Sequence, residues 1–539
     1  MRGSTRTSRI AAYVASGALV VSGTILAGTP AEAAPHDPVG INEGATWVGK
    51  ELTNGLFHYP DNGFGAYDEY GLSIDAALAL KALGGHDARV ESVRTAIAEN
   101  VNKYITGEAF GDAGSTYAGA VAKTMVLAQS TGGNPSSFGG VNLQSRLEGR
   151  VSSTAPIAGR LEDVSTYGDS ANTLGQSFAA NGLSTAGSTK SADVTSFLLK
   201  QQCSTGYFRL KFTADKTAPN QSCVDGTDVP DTDATAIAVL QLASQSGNGT
   251  VNTAIGKAKA WLVSQQESDG SWGGGASTED PNANSTGLAA WALGDTPQSE
   301  RAAEWLRENQ VTGYNACDKL SSQRGAIAYN GSSFAAGRTN GITGDTSDQW
   351  RRASAQALPG LAYLPQDTTP SNPSLTGPSG YLKAGTSQVL TTRGVQTGDQ
   401  LCLSGPNTAF KGTASGTSWA KTVTLPAGTA ARRYAVRDTA GHGATSTLKV
   451  LGKKTLSVRT SKQRVKRSGR VSVTVSGLAS GERARIYYKG ALKRSATASS
   501  TGRLTASFKV GRALGRKKIT ATGQFSDIRR GTQIIRVVR

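Results

Sequence analysis

The chain has 539 residues, more than one ordinary hydrophobic core organises, so two to four domains are expected. Its formal net charge is +18, yet residues 453–539 alone contain 23 Lys or Arg against only Glu482 and Asp527. The basicity therefore belongs to the C-terminal tail, and it does not mark the whole protein as a nucleic-acid binder.

The N-terminal segment has the pattern of a secretory signal peptide. Three arginines precede an apolar run over residues 10–26, and Ala31-Glu-Ala33 then offers small residues for signal peptidase. A membrane anchor is the alternative, but the run is short and contains several Ser, Gly and Thr residues. We expect residues 1–34 to be removed, the mature protein to be secreted, and no later segment to cross a membrane.

A repeated unit characterises residues 41–365. Its clearest copy runs from Trp261 through Gln265-Gln266 and Gly270 to Trp272, and related copies occur at 197–208, 305–314 and 47–57. Each copy ends a helix-like segment with a polar pair, turns on Gly and places an aromatic residue, and an alanine-rich run follows. The unit therefore consists of a helix, a glycine-aromatic turn and a second helix, and its repetition predicts a fold built from stacked copies of this unit.

Six helix pairs can be traced through this region by their apolar periodicity. The outer members are roughly 41–53, 87–105, 140–150, 190–202, 252–266 and 299–310, and the alanine-rich partners are 69–84, 116–131, 171–183, 233–245, 284–294 and 347–362. The alanine-rich helices have little polar face, so we expect them to be buried as an inner ring. The predicted fold is an α6/α6 toroid with a central cavity; an open helical solenoid is the alternative.

The four cysteines suit an oxidising compartment. Cys203 and Cys223 flank a polar insertion within one repeat, which predicts a disulfide. Cys317 and Cys402 lie in different predicted domains, and the sequence leaves open whether they bridge the two or stay unpaired.

After Pro365 the composition changes. Residues 366–373 form a Pro-rich linker, and short alternating runs with frequent turn residues then predict two small all-β Ig-like sandwich domains at about 374–451 and 453–539. For the basic second domain we expect contact with an anionic cell-wall polymer; a solvated polar β-surface is the alternative.

The Gln-Gln-Glu-Ser-Asp-Gly-Ser-Trp unit, with its copies, resembles the QW repeat of squalene and hopene cyclases. The toroid is accordingly similar to the terpenoid cyclase and protein prenyltransferase superfamily. That superfamily also includes cobalamin carriers, so the resemblance implies a cavity for a small apolar or cobalamin-like ligand as readily as it implies catalysis.

A second segment, Asp231-Thr-Asp233-Ala-Thr-Ala, resembles the Asp-x-Asp-Asp-Thr-Ala motif of class II cyclases. The resemblance implies that Asp233 is a proton donor and Asp231 a supporting carboxylate, but Ala234 stands where the third acid belongs. The chain is also only 6% aromatic, which is little for shielding carbocations. Without that chemistry, an aspartate before an apolar helix caps its free amides.

Other activities of the superfamily are excluded by missing residues. Its prenyltransferases bind zinc with a His downstream, whereas no His occurs between His86 and His442, and no cysteine is followed by the Gly of a thioester motif. We therefore expect neither a metal nor a cofactor. Trp291, within an alanine-rich helix, is a candidate for lining the cavity.

A loop in the first repeat carries residues of the kind that polysaccharide lyases use. His58 and Tyr59 stand there beside Pro60 and Asp61. An ordinary polar turn is the alternative for them. The leading prediction is a secreted, non-catalytic binding protein whose basic tail contacts the anionic envelope; the alternatives are a divergent class II cyclase acting through Asp233 and a carbohydrate-active toroid.

Overall fold

The computed structural model describes residues 36–61, 65–108, 111–366 and 372–539. The predicted signal peptide over residues 1–34 and most of the predicted linker lie outside these ranges. Within them, no helix is both long enough and apolar enough to span a membrane. The α-helices are α1 Val39–Glu51, α2 Tyr70–Leu83, α3 Asp87–Glu99, α4 Val101–Ile105, α5 Ala118–Ser130, α6 Leu143–Glu148, α7 Thr173–Thr185, α8 Ser191–Lys200, α9 Thr232–Leu242, α10 Gly249–Ser264, α11 Ala283–Leu293, α12 Pro297–Glu308, α13 Gly331–Asn340 and α14 Gly344–Ala357.

The alanine-rich helices form a closed ring. Contacts run from α2 to α5, α7, α9, α11 and α14, and α14 returns to α2. Helices α3, α6, α8, α10 and α12 each pack outside one member of this ring, and α1 packs against α14. Small residues such as Ala76 and Ala77 are fully buried, because close helix approach leaves no room for larger side chains. The helical region is therefore an α/α toroid, as predicted, and the closed cycle argues against an open solenoid.

The repeated polar pair joins neighbouring units. The Nε2 atom of Gln266 donates to the carbonyl of Gly270 in its own turn and to that of Gln298 in the next outer helix, at 2.9 and 2.8 Å. Gln202 makes the equivalent two bonds to Gly206 and Ala254. These amide bonds satisfy carbonyls that would otherwise be buried without partners, so each repeat is tied to the one after it.

The same bond closes the ring between the last unit and the first. Gln310 Nε2 donates to the carbonyls of Gly40 at 2.9 Å and Gly325 at 3.1 Å. The turn glycine of this copy is thus Gly325, whereas the sequence copy placed it at Gly313; residues 311–324 are an insertion with a short 3-10 helix at Gly313–Cys317. Gly325 has φ +99°, and a Cβ there would meet the Glu43 carbonyl oxygen at 2.0 Å, so only glycine fits.

The chain after residue 372 is all-β. The helical region itself contains three short strands, β1 Leu52–Thr53, β2 Leu56–Tyr59 and β3 Tyr67–Glu69. The first β unit after residue 372 consists of β4 Ser374–Thr376, β5 Tyr381–Lys383, β6 Ser387–Arg393, β7 Gln400–Gly405, β8 Thr408–Thr413, β9 Ser418–Thr424, β10 Ala430–Asp438 and β11 Gly443–Leu451. They form the sheets β4-β6-β9 and β5-β11-β10-β7-β8, which share one apolar core. This arrangement confirms the predicted change to β structure.

A second β unit follows with its own core. Its strands are β12 Lys454–Thr455, β13 Ser457–Thr460, β14 Arg464–Lys466, β15 Arg470–Ser476, β16 Arg483–Tyr488, β17 Ala491–Thr497, β18 Arg503–Lys509, β19 Gly515–Thr522 and β20 Arg529–Val538. One sheet has the order β13-β15-β18 and the other β12-β20-β19-β16-β17, with β14 also paired to β20. The two sheets enclose a core of Val, Ile, Leu and Phe side chains.

Two disulfides stabilise the described chain. Cys203 and Cys223 are bonded, which confirms the predicted bridge across the insertion between α8 and α9. Cys317 and Cys402 are bonded as well, so the pair that the sequence left open joins the helical region to β7. Lys411 reinforces this junction by an ion pair of 2.9 Å with Asp318.

Candidate functional site

The ring of inner helices surrounds a partly open cavity of about 340 Å³. All six contribute to its wall, and most contributions are apolar. Volume and lining match small-molecule sites, which are concave and largely hydrophobic with a few placed polar groups. The apolar lining includes Leu78, Ala79, Leu174, Phe178, Ile237, Leu240, Leu288 and Trp291. Trp291 therefore lies where the sequence predicted it, on the cavity wall; whether it contacts a ligand stays a prediction.

The polar part of the cavity is a hydrogen-bonded belt across four inner helices. Lys123 of α5 pairs with Asp75 of α2 at 2.6 Å, and Gln356 of α14 donates to the same carboxylate at 3.3 Å. Asn284 of α11 in turn donates to Gln356 at 2.6 Å. The belt leaves the Asn284 Oδ1 atom buried and without a partner among the described residues. An unsatisfied buried acceptor is costly. Asn284 is not part of the cavity wall, so the belt meets the cavity through Asp75, Lys123 and Gln356.

Lys123 stays charged in this setting. Burial lowers the pKa of its ammonium group, but Asp75 and the other nearby acidic groups outweigh that effect and leave the pKa raised. The Nζ atom also donates to the Gly71 carbonyl at 3.0 Å and lies 5.8 Å from the centre of the Phe178 ring. Burial raises the pKa of the neighbouring Tyr104. The mainly apolar wall of the cavity thus carries one ion pair, Lys123 with Asp75.

Asp231 caps an inner helix. It is the N-cap residue of α9, and its Oδ1 atom accepts the backbone N–H of Ala234 at 2.8 Å. This is the structural role that the sequence offered as the alternative to catalysis. Burial raises the pKa of Asp231, and bonds from the backbone N–H groups of Ala234 and Asp233 partly oppose the shift.

Asp233 lies one turn before the cavity wall. It precedes Ile237 by four residues, so the two side chains share a face of α9, and Ile237 lines the cavity. Asp233 itself is not part of that wall. Its Oδ1 atom is buried and has no hydrogen bond among the described residues. Asp233 therefore occupies the rim at the N-terminal end of the inner ring.

Burial raises the pKa of Asp233 from 3.8 to about 6. The Ser285 hydroxyl partly lowers the pKa, and the neighbouring Asp231 carboxylate raises it further. Burial raises the pKa of the Tyr329 phenol, and the Asp233 carboxylate raises it further. A carboxyl with such a pKa exchanges its proton near neutral pH, as a general acid must.

His58 and Tyr59 lie on opposite faces of strand β2. His58 is exposed and pairs with Asp68 at 2.9 Å, whereas Tyr59 is buried and donates its hydroxyl proton to Asp348 at 2.8 Å. Arg351 covers the Tyr59 ring, 4.7 Å from its centre. Burial first, and then the Asp348 carboxylate, raises the pKa of this phenol. The structure therefore does not bring the two side chains together as the acid and base of a lyase.

The sequence did not single out the polar belt. Asp75 and Lys123 are isolated charges in alanine-rich helices, and Gln356 and Asn284 are ordinary polar residues in theirs. A charge inside a run that otherwise reads as buried is a usable signal, because buried charges need partners. Their contact across the ring depends on closure, which no local pattern reveals.

One group of possible metal ligands occurs among the described residues. Ligand atoms of His36, Asp295 and Glu300 lie within 4.8 Å of one another, and all three side chains are at least partly exposed. None of the three lines the cavity. The predicted absence of a metal and of a cofactor stays a prediction.

Comparisons with known proteins give structural likeness alone. No protein-family model and no curated protein matches the chain. The type II terpene cyclase MstE from Scytonema is 12% identical over 60% of this chain and 96% of that chain, with a TM-score of 0.39.

Two further solved structures match different shares of the chain. The unsaturated glucuronyl hydrolase from Bacillus sp. GL1 is 11% identical over 61% of this chain and 99% of that chain, with a TM-score of 0.37. Fibronectin(III)-like modules of CbhA from Clostridium thermocellum cover 30% of this chain and 92% of theirs at 11% identity and a TM-score of 0.19. At these values the likenesses carry no conclusion about activity.

Proposed function

We propose that this secreted protein binds one small, partly apolar ligand inside an α6/α6 toroid, and that two Ig-like sandwich domains connect the ring to the anionic cell envelope. The observation that carries the proposal is the cavity of about 340 Å³ surrounded by six inner helices. Its walls are mainly Leu, Ile, Ala and aromatic side chains, and its polar belt supplies one orienting end. Pre-formed pockets of this composition are typical of ligand sites.

The ligand's polar end should be anionic or rich in hydrogen-bonding groups. Lys123 provides a partly buried cation on the cavity wall, and the Gln356 amide lies on the same wall. Asp75 already neutralises Lys123, so a strongly charged ligand would have to share the cation with it. A mostly apolar molecule with one polar head group satisfies both conditions.

The binding proposal is tested with anilinonaphthalene sulfonate, an apolar fluorophore with one anionic group. We expect one molecule to bind per chain, with emission raised by the apolar walls. The Ala120→Trp variant places a large ring in the cavity wall and should abolish this emission. Ala88→Trp, on the exposed face of α3, is the matched control and should retain it. Equal dye binding by both variants would show that the dye lies elsewhere and would remove the support for a cavity ligand.

Acid chemistry at the rim is a second candidate function. The observation in its favour is Asp233, with one carboxylate oxygen buried and unpartnered and a pKa of about 6. Against a cyclase stand the Ala at position 234 and a cavity wall in which Tyr104, Phe178 and Trp291 are the aromatic members. Turnover of a polyprene by the secreted protein, absent in Asp233→Asn, would establish this function. Intact turnover in that variant would contradict it.

The proposed contact with the envelope rests on the second β unit. Residues 453–539 contain 23 Lys or Arg and two acids. Such a surface attracts polyanions at low ionic strength. Retention of the full chain on purified cell walls should fall steeply with added salt, and salt-independent retention would contradict an electrostatic role.

A further inference from the structure

One face of the second β unit concentrates the arginines. It is the solvent-facing side of the sheet β14-β20-β19-β16, and we call it the arginine face. Strand alternation brings six arginines and two lysines to this side, and they are exposed. They are Arg464 and Lys466 on β14, Arg530 and Arg536 on β20, Arg516 and Lys518 on β19, and Arg483 and Arg485 on β16.

Three of these arginines form a row across adjacent strands. Arg536 is the register partner of Arg464 on one side and of Arg516 on the other. Neighbouring strands lie about 4.8 Å apart, so the three side chains start within roughly 10 Å of one another. Like charges directly opposite each other destabilise a sheet. A row of three is therefore unfavourable in the free protein and becomes favourable when an anion lies across it.

Over residues 36–61, 65–108, 111–366 and 372–539, no acid pairs with this face. Glu482 is fully buried, and its carboxylate accepts two hydrogen bonds of 2.7 Å from the Arg529 guanidinium. Asp527 forms an ion pair with Lys383 of the first β unit. These are the two acids of residues 453–539. Among the described residues, none of the six exposed arginines has an ion pair or a side-chain hydrogen bond.

A second basic group lies on the same face. Arg530 and Arg485 flank Thr522, their common register partner, and Arg483 and Arg485 line a concavity of about 390 Å³ together with Ser495 and Gln524. Arg530 and Arg536 are six residues apart on β20, which corresponds to roughly 20 Å along the strand. The face thus offers two anion sites separated by several repeats of a linear polymer.

We propose that the arginine face binds a linear phosphodiester polymer with a polyol backbone, of the kind carried on anionic cell walls. The guanidinium fork matches the oxygens of phosphate in two parallel hydrogen bonds, which the point charge of lysine does not. The face carries six arginines and two lysines, whereas residues 453–539 as a whole contain 14 Arg and 9 Lys, so arginine is enriched on it. This inference rests on the proposed envelope contact and names the partner and the surface.

A nucleic acid and a membrane fit the face less well. Single-stranded nucleic acids need aromatic platforms for their bases, and Tyr487 at the centre of the face is half-buried. Insertion into lipid needs a broad apolar patch. Ile534, 46% exposed, stands among charged and hydroxyl side chains. Binding of a nucleic acid and binding of a lipid membrane are both measured in the test.

The test measures binding of the full secreted chain to immobilised synthetic poly(glycerol phosphate). The triple variant Arg464→Gln, Arg516→Gln, Arg536→Gln should lose at least about tenfold in affinity and show a shallower dependence on salt, because fewer counter-ions are released. The same three positions changed to Lys should recover only part of the loss, since charge returns without the fork.

The matched control removes the same charge from the opposite sheet. Arg459, Arg470 and Arg503 are exposed on β13, β15 and β18, and their change to Gln should weaken binding by less than about threefold. Circular dichroism and melting temperature confirm that all variants are folded.

Four results would overturn the proposal that the arginine face binds this polymer. They are equal losses in the two triple variants, equal binding of polyglutamate and poly(glycerol phosphate), preference for a DNA oligonucleotide, and preference for phosphatidylglycerol vesicles. Equal losses would still leave an unlocalised envelope contact in place. Cell-wall retention that is unaffected by salt would remove the envelope contact itself.

Discussion

The helical ring and the second β unit treat charge in opposite ways. In the ring, buried cations are paired, as in Lys123 with Asp75, Arg160 with Asp169 and Arg209 with Asp228. In the second β unit one such pair exists, Arg529 with Glu482, and the remaining cations stand at the surface without acids. In the ring, the pair Lys123–Asp75 lies on the cavity wall, whereas the β unit presents its cations to solvent.

Under the proposed function, this difference separates two tasks on one chain. Paired charges in a cavity orient a small ligand without attracting bulk polyanions, whereas unpaired surface charges act at long range and without shape selection. The Cys317–Cys402 disulfide joins the helical region covalently to the β region. Because the two proposed tasks depend on different residues, we expect changes in one region to leave the function of the other intact.

The largest expected effect is on the stability of the second β unit. Glu482→Gln leaves the fully buried Arg529 without its counter-charge, which should cost about 3–5 kcal/mol. Hydrogen exchange measured by mass spectrometry should show faster exchange in β16 and β20, while the ring helices keep wild-type rates. Asp527→Asn is the control, because its partner Lys383 and the carboxylate itself are exposed, and it should leave exchange unchanged. Protection of β16 and β20 in Glu482→Gln would contradict the role given to this pair.

A smaller effect is expected for the pair in the cavity. Lys123→Met leaves Asp75 partly buried and unpaired, which should cost about 2–3 kcal/mol, less than a fully buried pair because both side chains keep some exposure. Urea denaturation followed by tryptophan emission measures this, since six of the seven tryptophans lie in the helical region. Asp75→Asn with Lys123→Met should recover part of the loss. Additive losses would show that the two groups do not interact.

The smallest expected effect is a dependence of ring stability on pH through Asp233. Its pKa is raised from 3.8 to about 6 in the folded chain, so the folded state holds a proton that the unfolded state has released. Stability contributed by this group is therefore present below about pH 4 and is lost as the pH rises to about 6. The loss should amount to roughly 1–3 kcal/mol, and Asp233→Asn should remove it. An identical pH profile in wild type and Asp233→Asn would contradict the raised pKa.

Much of the fold could be predicted from the sequence because the repeat is local. Gln202, Gln266 and their turn glycines recur with alanine-rich runs, and each motif makes its bonds within its own turn and to the next outer helix. The sequence did not predict helix α13 or the true turn of the last copy, since the insertion over residues 311–324 places Gly325 fifteen positions after Gln310. The cap formed by Asp231 followed from its position before an apolar helix.

The candidate site was less accessible to sequence reasoning. Asp75 and Gln356 are 281 residues apart and meet only because the ring closes. The sequence also grouped His58 with Tyr59 as neighbours, whereas the alternation of a strand sends them to opposite faces. The arginine face depends in the same way on register, which pairs Arg464 with Arg536 across 72 positions of sequence.

The central claim is that the ring holds one small ligand in its cavity. Native mass spectrometry of the full chain, incubated with anilinonaphthalene sulfonate, tests it most directly by counting bound molecules. We predict a single adduct on the wild type and on Ala88→Trp, and none on the cavity-filled Ala120→Trp. An adduct of the same abundance on Ala120→Trp, or none on the wild type, would contradict the claim.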